Sequence, residues 1–469
     1  MKSFLAGFSL LLALTPAALD GDARVPGELT AAAVDAYARQ AMESTGVPGM
    51  SLVVTRDGEV VHAAGYGHDS RGAPITAGTP MRVASVSKSF TAAAVMTLVE
   101  RGEIRLDEPV AAQLPGFRMA DPRAAGITVR QLLNQTSGLS DTSVDVTDLG
   151  DAASLADYTS RLADDRLAAA PGTRWEYCNV NYNLAARLVE TASGRRFGDY
   201  LRERIFTPLG MTSSAVSDEV VRPADGRNSI FGLWLPRPEL DGFLDESGSG
   251  GVITTAADMG RWLRLHTGDG RPLVQRQSLE TMHAPSGIHE YGMGWSPDRE
   301  SGLLVHSGNL FTYNAVQAIS PGTGYGFAVM TDSAGLTDET YAVMTGLVAM
   351  SEGRAPEVPG GDRQLFEAVL AAVTLLAAGL GITGALRARR WAAERAGRPR
   401  WRIAVRLVPA LLPVALLAAY PDLVSTLMNG RTVTWAQVTY YAAPLSIALL
   451  AAAAAGVLVT ITRLVRLAS

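Results

Sequence analysis

Hydrophobic periodicity changes twice along the first 350 residues, and the changes mark out the elements. Residues 28–43 carry apolar side chains at helical spacing. Residues 49–56 and 59–66 are strand-like runs on either side of Asp57-Gly58, which predicts a hairpin closed by a two-residue turn. Residues 87–101 predict a helix stopped by Gly102, and a helix-rich middle follows over 129–135, 154–167, 181–193 and 196–206. A further helix over 255–266 begins at a capping Thr255. After Gly302 the period returns to that of strands, over 303–306, 313–320 and 325–331, with Pro321-Gly322-Thr323-Gly324 joining the last two. A helix over 337–350 closes the series. Strands at both ends with helices between predict an α/β sandwich over residues 28–350, its sheet completed by the returning chain and an all-helical domain inserted within it.

Beyond this region the pattern becomes almost continuously apolar. Residues 351–364, with Pro356, Pro359 and three glycines, read as a linker. The module 365–469 then holds three apolar segments at 365–386, 403–420 and 438–461, which predicts about three transmembrane helices and hence a lipid bilayer as partner. The second carries Arg406, Pro409 and Pro413. Arg387, Arg389, Arg390, Arg395, Arg398, Arg400 and Arg402 crowd the loop between the first two segments, and Arg463 and Arg466 follow the third. Arg431 is the sole basic residue of the loop over 421–437. Arginine on one side of the bilayer predicts that the Arg-rich loop and the C-terminus lie in the cytoplasm, with everything before residue 365 outside. Lys2, the apolar run 4–14 and the small residues Ala17-Ala18 predict a secretory signal peptide over 1–18, which demands the same side independently. The expected location is therefore the cell membrane, multi-pass, with the large domain extracytoplasmic.

At 469 residues the chain exceeds one ordinary domain. A net charge of -5, with no basic patch interleaved with aromatics before residue 386, argues against a nucleic-acid partner. The single cysteine, Cys178, excludes an intrachain disulfide framework and a cysteine-based zinc cluster. His62, His68, His283 and His289 lack the carboxylate spacing of zinc motifs, so neither a metal nor another cofactor is expected. Lysine is more informative: only Lys2 and Lys88 occur, against a background of arginine. A lysine kept where arginine is the rule suggests a group that must give up its proton, which a desolvated lysine can do and arginine cannot.

Three short constellations carry candidate chemistry. In Ser85-Val86-Ser87-Lys88, residues three apart at a helix start share a face, so a neutral Lys88 can take the Ser85 proton. The helix start also presents N–H groups where an oxyanion would form. In Tyr177-Cys178-Asn179, the phenol suits a proton relay and the amide suits a group that reads substrate. In His306-Ser307-Gly308, the glycine lets a ligand approach a strand edge, where the Asn309 N–H is placed to donate to an oxyanion.

Together these elements resemble the serine β-lactamase/penicillin-binding protein superfamily, in its branch of class C β-lactamases, D-Ala-D-Ala carboxypeptidases, D-aminopeptidases and related esterases. That family's pattern is Ser-x-x-Lys, Tyr-x-Asn and then Lys-or-His-x-Gly, matched here by Ser85/Lys88, Tyr177/Asn179 and His306/Gly308. The strings 132–139, 250–259 and 291–295 are similar to further family signatures, and the likeness covers about residues 28–350. The resemblance implies an α/β domain, a helical domain and an active site in the cleft between them. It also implies acylation of Ser85 followed by hydrolysis, on a small-molecule or peptide substrate with a possible cell-wall connection. Which of Lys88 and Tyr177 takes the first proton stays open. Two positions depart from the pattern. Gln135 stands where the family usually has His, which removes any local role of that imidazole. His306 stands where many members carry a Lys that helps hold a substrate carboxylate, and a neutral imidazole offers less charge. This shifts the expectation toward ester, amide or peptide substrates that are less anionic. The rival expectation is a non-catalytic envelope receptor or scaffold, against which the joint presence of Ser85, Lys88 and Tyr177 counts.

Overall fold

A computed structural model of the chain describes residues 29–240, 242–267, 273–299, 301–428 and 431–468. The expected signal peptide lies outside the described residues.

Six antiparallel strands form the central sheet, in the spatial order Glu59–Gly67, Gly49–Arg56, Tyr325–Thr331, Tyr313–Ser320, Leu304–Leu310 and Ser296–Pro297. The chain's return therefore completes the sheet, with Met50 opposite Thr331 and Arg56 opposite Tyr325. Asp57 and Gly58 both have positive φ, at 49° and 82°, as a two-residue turn matched to strand twist requires. Alternate residues serve two cores. Leu52, Val54, Phe327 and Val329 pack with the helices Ala31–Thr45 and Glu339–Ser351, while Val53, Ala328 and Met330 face the helix Ala256–Thr267 and the interior beyond it. The strand period of two thus builds the sandwich that the pattern predicts.

Between the strands lies the helical domain, built on Val180–Ser193, which packs against the helix Ser87–Glu100. Ser87–Glu100 is buried nearly all round, and its small residues Ala92, Ala93 and Ala94 are wholly inaccessible. The helix expected over 154–167 is shorter. It runs Leu155–Arg161 and tightens into a single 3₁₀ turn, Leu162–Asp164. A hairpin of Arg227–Ile230 and Leu233–Pro236 was not expected from the sequence pattern, and it pairs in parallel with Ser333–Ala334.

Among the described residues the tail contains three helices long and apolar enough to cross a membrane: Asp362–Leu386, Arg400–Ala418 and Ala443–Ala468. Pro409 and Pro413 are carried inside the second without ending it. The third segment breaks at Ala442, which separates the short helix Trp435–Tyr441 from the long one. Small residues let these helices approach closely: a Cβ on Gly381 would stand 2.7 Å from Ala455 Cβ, and one on Gly456 would collide with the Ala410 carbonyl. Such contacts are how helices associate where lipid offers no hydrophobic drive. Leu375, Leu386 and Val405 face outward at 74, 78 and 60 % exposure.

The first tail helix is joined firmly to the large domain. Arg363 donates to Ser229 Oγ at 2.7 Å and to the Thr45 carbonyl at 2.8 Å. Glu367 accepts from Ser229 Oγ at 2.8 Å and from the Gly232 N–H at 2.6 Å. The helix begins at Asp362, inside the stretch that reads as linker, and Ser44 donates to the Pro359 carbonyl just before it.

Candidate active site

Ser85 occupies one 3₁₀ turn, Ala84–Val86, that feeds the helix Ser87–Glu100. The residue before it, Ala84, has φ +48°, a conformation costing an ordinary residue about 1–2 kcal/mol. Packing holds it there. Val83 N–H bonds the Val252 carbonyl at 3.1 Å, and the strand Leu304–Leu310 presses Gly308 against the turn. A Cβ on Gly308 would collide with the Val83 carbonyl and stand 2.9 Å from the Ser85 nitrogen, so only glycine fits. The outcome is a partly exposed Ser85 above a wholly buried Lys88.

Lys88 Nζ lies 3.0 Å from Ser85 Oγ, 2.9 Å from Asn179 Oδ1 and 2.7 Å from the Ser249 carbonyl. Among the described residues no carboxylate forms an ion pair with it. Burial, reinforced by the positive charge of Arg431, holds its pKa well below the usual lysine value. The partners are suited to the neutral amine. An amide oxygen and a backbone carbonyl can only accept, so each takes an N–H donor, and in the neutral form the remaining lone pair is free for the Ser85 hydroxyl. Ser249 is positioned by Asn183, whose Oδ1 accepts from the Ser249 N–H at 3.1 Å and from Ser247 Oγ at 3.0 Å. Ser87 Oγ accepts from the Val252 N–H at 2.9 Å and ties the same segment to the helix that carries Lys88.

Tyr177 places its ring 4.7 Å from Lys88 Nζ. Burial pushes its phenol up to about 12, against the opposing influence of the Ser85 hydroxyl. Gln135, the residue whose departure from the family pattern suggested a lost role, holds this turn. Its Oε1 accepts from the Cys178 N–H at 3.1 Å and from Asn181 Nδ2 at 2.6 Å, and its carbonyl accepts from the Glu176 N–H at 2.9 Å. An amide oxygen here does what a neutral ring nitrogen can also do, namely accept.

His306 is buried, with its ring centroid 6.4 Å from that of Tyr177. Its Nδ1 lies 2.7 Å from the Ser307 carbonyl and its Nε2 3.0 Å from Tyr291 Oη. A carbonyl only accepts, so Nδ1 carries the proton and Nε2 accepts from the Tyr291 hydroxyl. Burial, followed by the positive charge of Lys88, lowers the imidazole pKa to about 3, so it stays neutral. Asn309 is exposed at the strand edge and its side chain bonds Asn314. Ser85, Lys88, Tyr177, Asn179, His306 and Gly308 are thus drawn together, with Asn309 exposed on the adjoining strand edge. Gln135, Ser249 and Tyr291 belong to the same network without having been singled out as site residues. The matching strings 132–139, 250–259 and 291–295 were the signal for two of them, since they contain Gln135 and Tyr291. Of the histidines set aside as structural, His283 bonds His266 at 3.0 Å and His289 stacks on Trp175 at 3.8 Å.

An antiparallel sheet backed by helices, with a serine and a buried lysine at the start of a buried helix, defines the class of fold to which the chain is to be compared. The family model described as Beta-lactamase matches residues 34–347, about two thirds of the chain, and the chain belongs to this family, within the serine β-lactamase/penicillin-binding protein superfamily. It is 37 % identical over 231 residues to Penicillin-binding protein 4 of Amycolatopsis lactamdurans, covering 48 % of this chain and 60 % of that one. It is 25 % identical over 317 residues to Protein flp of Staphylococcus aureus, covering 63 % and 62 %. The match thus spans about six tenths of the length of these curated relatives. Among solved structures it is similar to the octameric penicillin-binding protein homologue from Pyrococcus abyssi, with TM-score 0.60 and 25 % identity over 72 % of this chain and 82 % of that one. It is also similar to the D-stereospecific amidohydrolase from a Streptomyces species, with TM-score 0.53 and 25 % identity over 65 % and 94 %.

Proposed function

We propose that the chain is a membrane-tethered serine hydrolase that cleaves ester, amide or peptide bonds through a Ser85 acyl-enzyme, with its catalytic domain outside the cytoplasm. The observation that carries this reading is the buried Lys88 amine, 3.0 Å from Ser85 Oγ and bonded otherwise only to acceptors. Ser85 Oγ attacks the carbonyl carbon while its proton passes to Lys88 Nζ. The backbone N–H groups of Ser85 and Asn309 receive the oxyanion, and Asn179 and His306 line the substrate. The intermediate collapses with loss of the leaving group, which takes a proton from the Tyr177 hydroxyl, and Lys88 reprotonates that hydroxyl. Water then attacks the acyl carbon, passes its proton back through the same pair and frees Ser85. A phenol held near 12 stays protonated at neutral pH, whereas burial shifts the lysine toward its neutral form, which favours Lys88 over Tyr177 as the first base. The arginine imbalance of the tail loops supports the extracytoplasmic placement.

A fluorescent penicillin or phosphonate probe tests the reading. The full-length protein should be labelled covalently and Ser85→Ala should not, with both melting alike. Absence of labelling in the wild type, or equal labelling of the variant, overturns it and leaves the scaffold reading.

A further inference from the structure

Beside Tyr177 stands a residue that the catalytic domain does not supply. Arg431 belongs to the stretch between the second and third apolar helices of the tail, more than 250 residues from Tyr177 in sequence, yet its guanidinium carbon lies 5.6 Å from the centroid of the Tyr177 ring. Its Nε bonds Asp141 Oδ2 at 3.2 Å, and the neighbouring Thr432 hydroxyl donates to the Asp141 carbonyl at 2.9 Å. The segment is also anchored further along. Thr434 and Gln437 form a reciprocal cap that starts the helix Trp435–Tyr441. Arg237 of the large domain donates to the Thr439 carbonyl at 2.9 Å, with its guanidinium 3.3 Å from the Tyr440 ring.

We infer that this segment is a wall of the catalytic cleft and that Arg431 is its anion-reading residue, which selects substrates bearing a carboxylate or phosphate near the scissile carbonyl. The inference rests on the serine-hydrolase reading. Three observations lead to it. Arg431 uses only Nε on Asp141, so among the described residues its two terminal nitrogens have no hydrogen-bond partner. These are the atoms that form the paired, parallel bonds by which guanidinium recognises an oxyanion. The side chain keeps 40 % of its surface exposed, whereas the Asp141 side chain retains 11 %, so the carboxylate is covered and the cation still faces open space. The other basic groups of the cleft are unsuited to the task. Lys88 is wholly buried, with Ser85, Asn179 and Ser249 as its partners, and His306 is a neutral ring with both nitrogens engaged. Asp141 orients the arginine and offsets part of its charge, while the Tyr177 face supports it. The lost cation of the third motif, which pointed to less anionic substrates, is restored from a different part of the chain.

The test uses the full-length protein in lipid nanodiscs and activated esters of one length whose acyl ends carry a neutral group, a carboxylate or a phosphate. The quantity read is the ratio of kcat/KM for each anionic ester to that for the neutral one. Arg431→Ala should lower this ratio about 10- to 100-fold for the carboxylate, the phosphate or both, the size expected for losing a hydrogen bond to a charged group. The anion that loses most identifies the chemistry. Arg431→Lys should keep part of the preference, since charge remains without the fork. A ratio unchanged in Arg431→Ala overturns the inference, including the case where all esters slow equally because the arginine acts through Lys88 or Tyr177. Ser85-dependent probe labelling is measured on the same samples. If wild type fails to label, the hydrolase reading has failed; if it labels and the ratio does not move, only the role of Arg431 has.

Discussion

Gln135 Oε1 and the Cys178 backbone N–H are joined by a 3.1 Å hydrogen bond that spans 43 residues of sequence and fixes the turn carrying Tyr177. The same oxygen accepts from Asn181 Nδ2, so one acceptor satisfies two buried donors. Gln135→Ala should strand both and cost about 1–3 kcal/mol per unsatisfied group, read as a lower melting temperature. Acylation should also slow, since Tyr177 loses its support. A variant that melts and acylates like wild type would show that the turn holds itself.

Lys88→Arg separates a base from a mere cation. Arginine keeps the charge but stays protonated, and general-base help is typically worth about 10²–10⁴-fold. Single-turnover acylation of an activated ester should fall by at least the lower figure. A variant within threefold of wild type would move the proton to Tyr177 or water.

The pH dependence of acylation follows from the same amine. On the proposed mechanism Lys88 acts when neutral, and its pKa is lowered by burial and by Arg431, so the rate should climb and level off well below the usual lysine value. His306 should add no limb near the ordinary imidazole value, because its own lies near 3. A limb that vanishes in His306→Gln would contradict this.

Stability carries the sign of His306 directly. Its folded pKa lies below the unfolded value, so between about 6.5 and about 3 the unfolded chain binds a proton that the native chain refuses. Stability contributed by the neutral ring is complete above that window and is lost as pH falls through it. His266 and His283 act in the same sense, so the informative quantity is the difference between wild type and His306→Gln. Melting scans from pH 7 to pH 4 should show the wild type losing more. Parallel curves would mean that the ring is hydrated.

Gly294 tests close packing against the helix that carries Lys88. Its φ is +77°, and a Cβ would stand 2.6 Å from the Ser89 nitrogen and 2.8 Å from the Lys88 carbonyl carbon. Gly294→Ala should cost about 2–4 kcal/mol from strain and overpacking together. Gly72→Ala, at φ +82° with open space around it, should cost only the conformational part, about 1–2 kcal/mol. Equal losses in urea melts would mean that the helix yields to the methyl group.

What the sequence revealed follows the locality of each signal. Asp57-Gly58 sits between two strands and imposes its turn by backbone preference alone, so that hairpin is legible. The hairpin around Phe231-Gly232 uses the same left-handed pair of φ values, 51° and 85°, but a phenylalanine there gives no warning. Its strands, four residues each, are too short for a period to register. The cleft motifs were legible because each is contiguous. Arg431 was visible only as a charge that helps orient the tail, because the contact with Asp141 crosses 290 residues and depends on how two units dock.

The seat of Glu367 on the hairpin sets a height. From there the helix continues to Leu386, a rise of about 29 Å at 1.5 Å per residue, close to the thickness of a bilayer's hydrocarbon interior. Nothing is left over for a stalk. On the proposed topology the catalytic head rests against the lipid headgroups at a fixed standoff, and its cleft sweeps a plane as the protein diffuses laterally. Substrates held in or near the bilayer are met by a two-dimensional search, while material deeper in the surroundings has to come down to the enzyme.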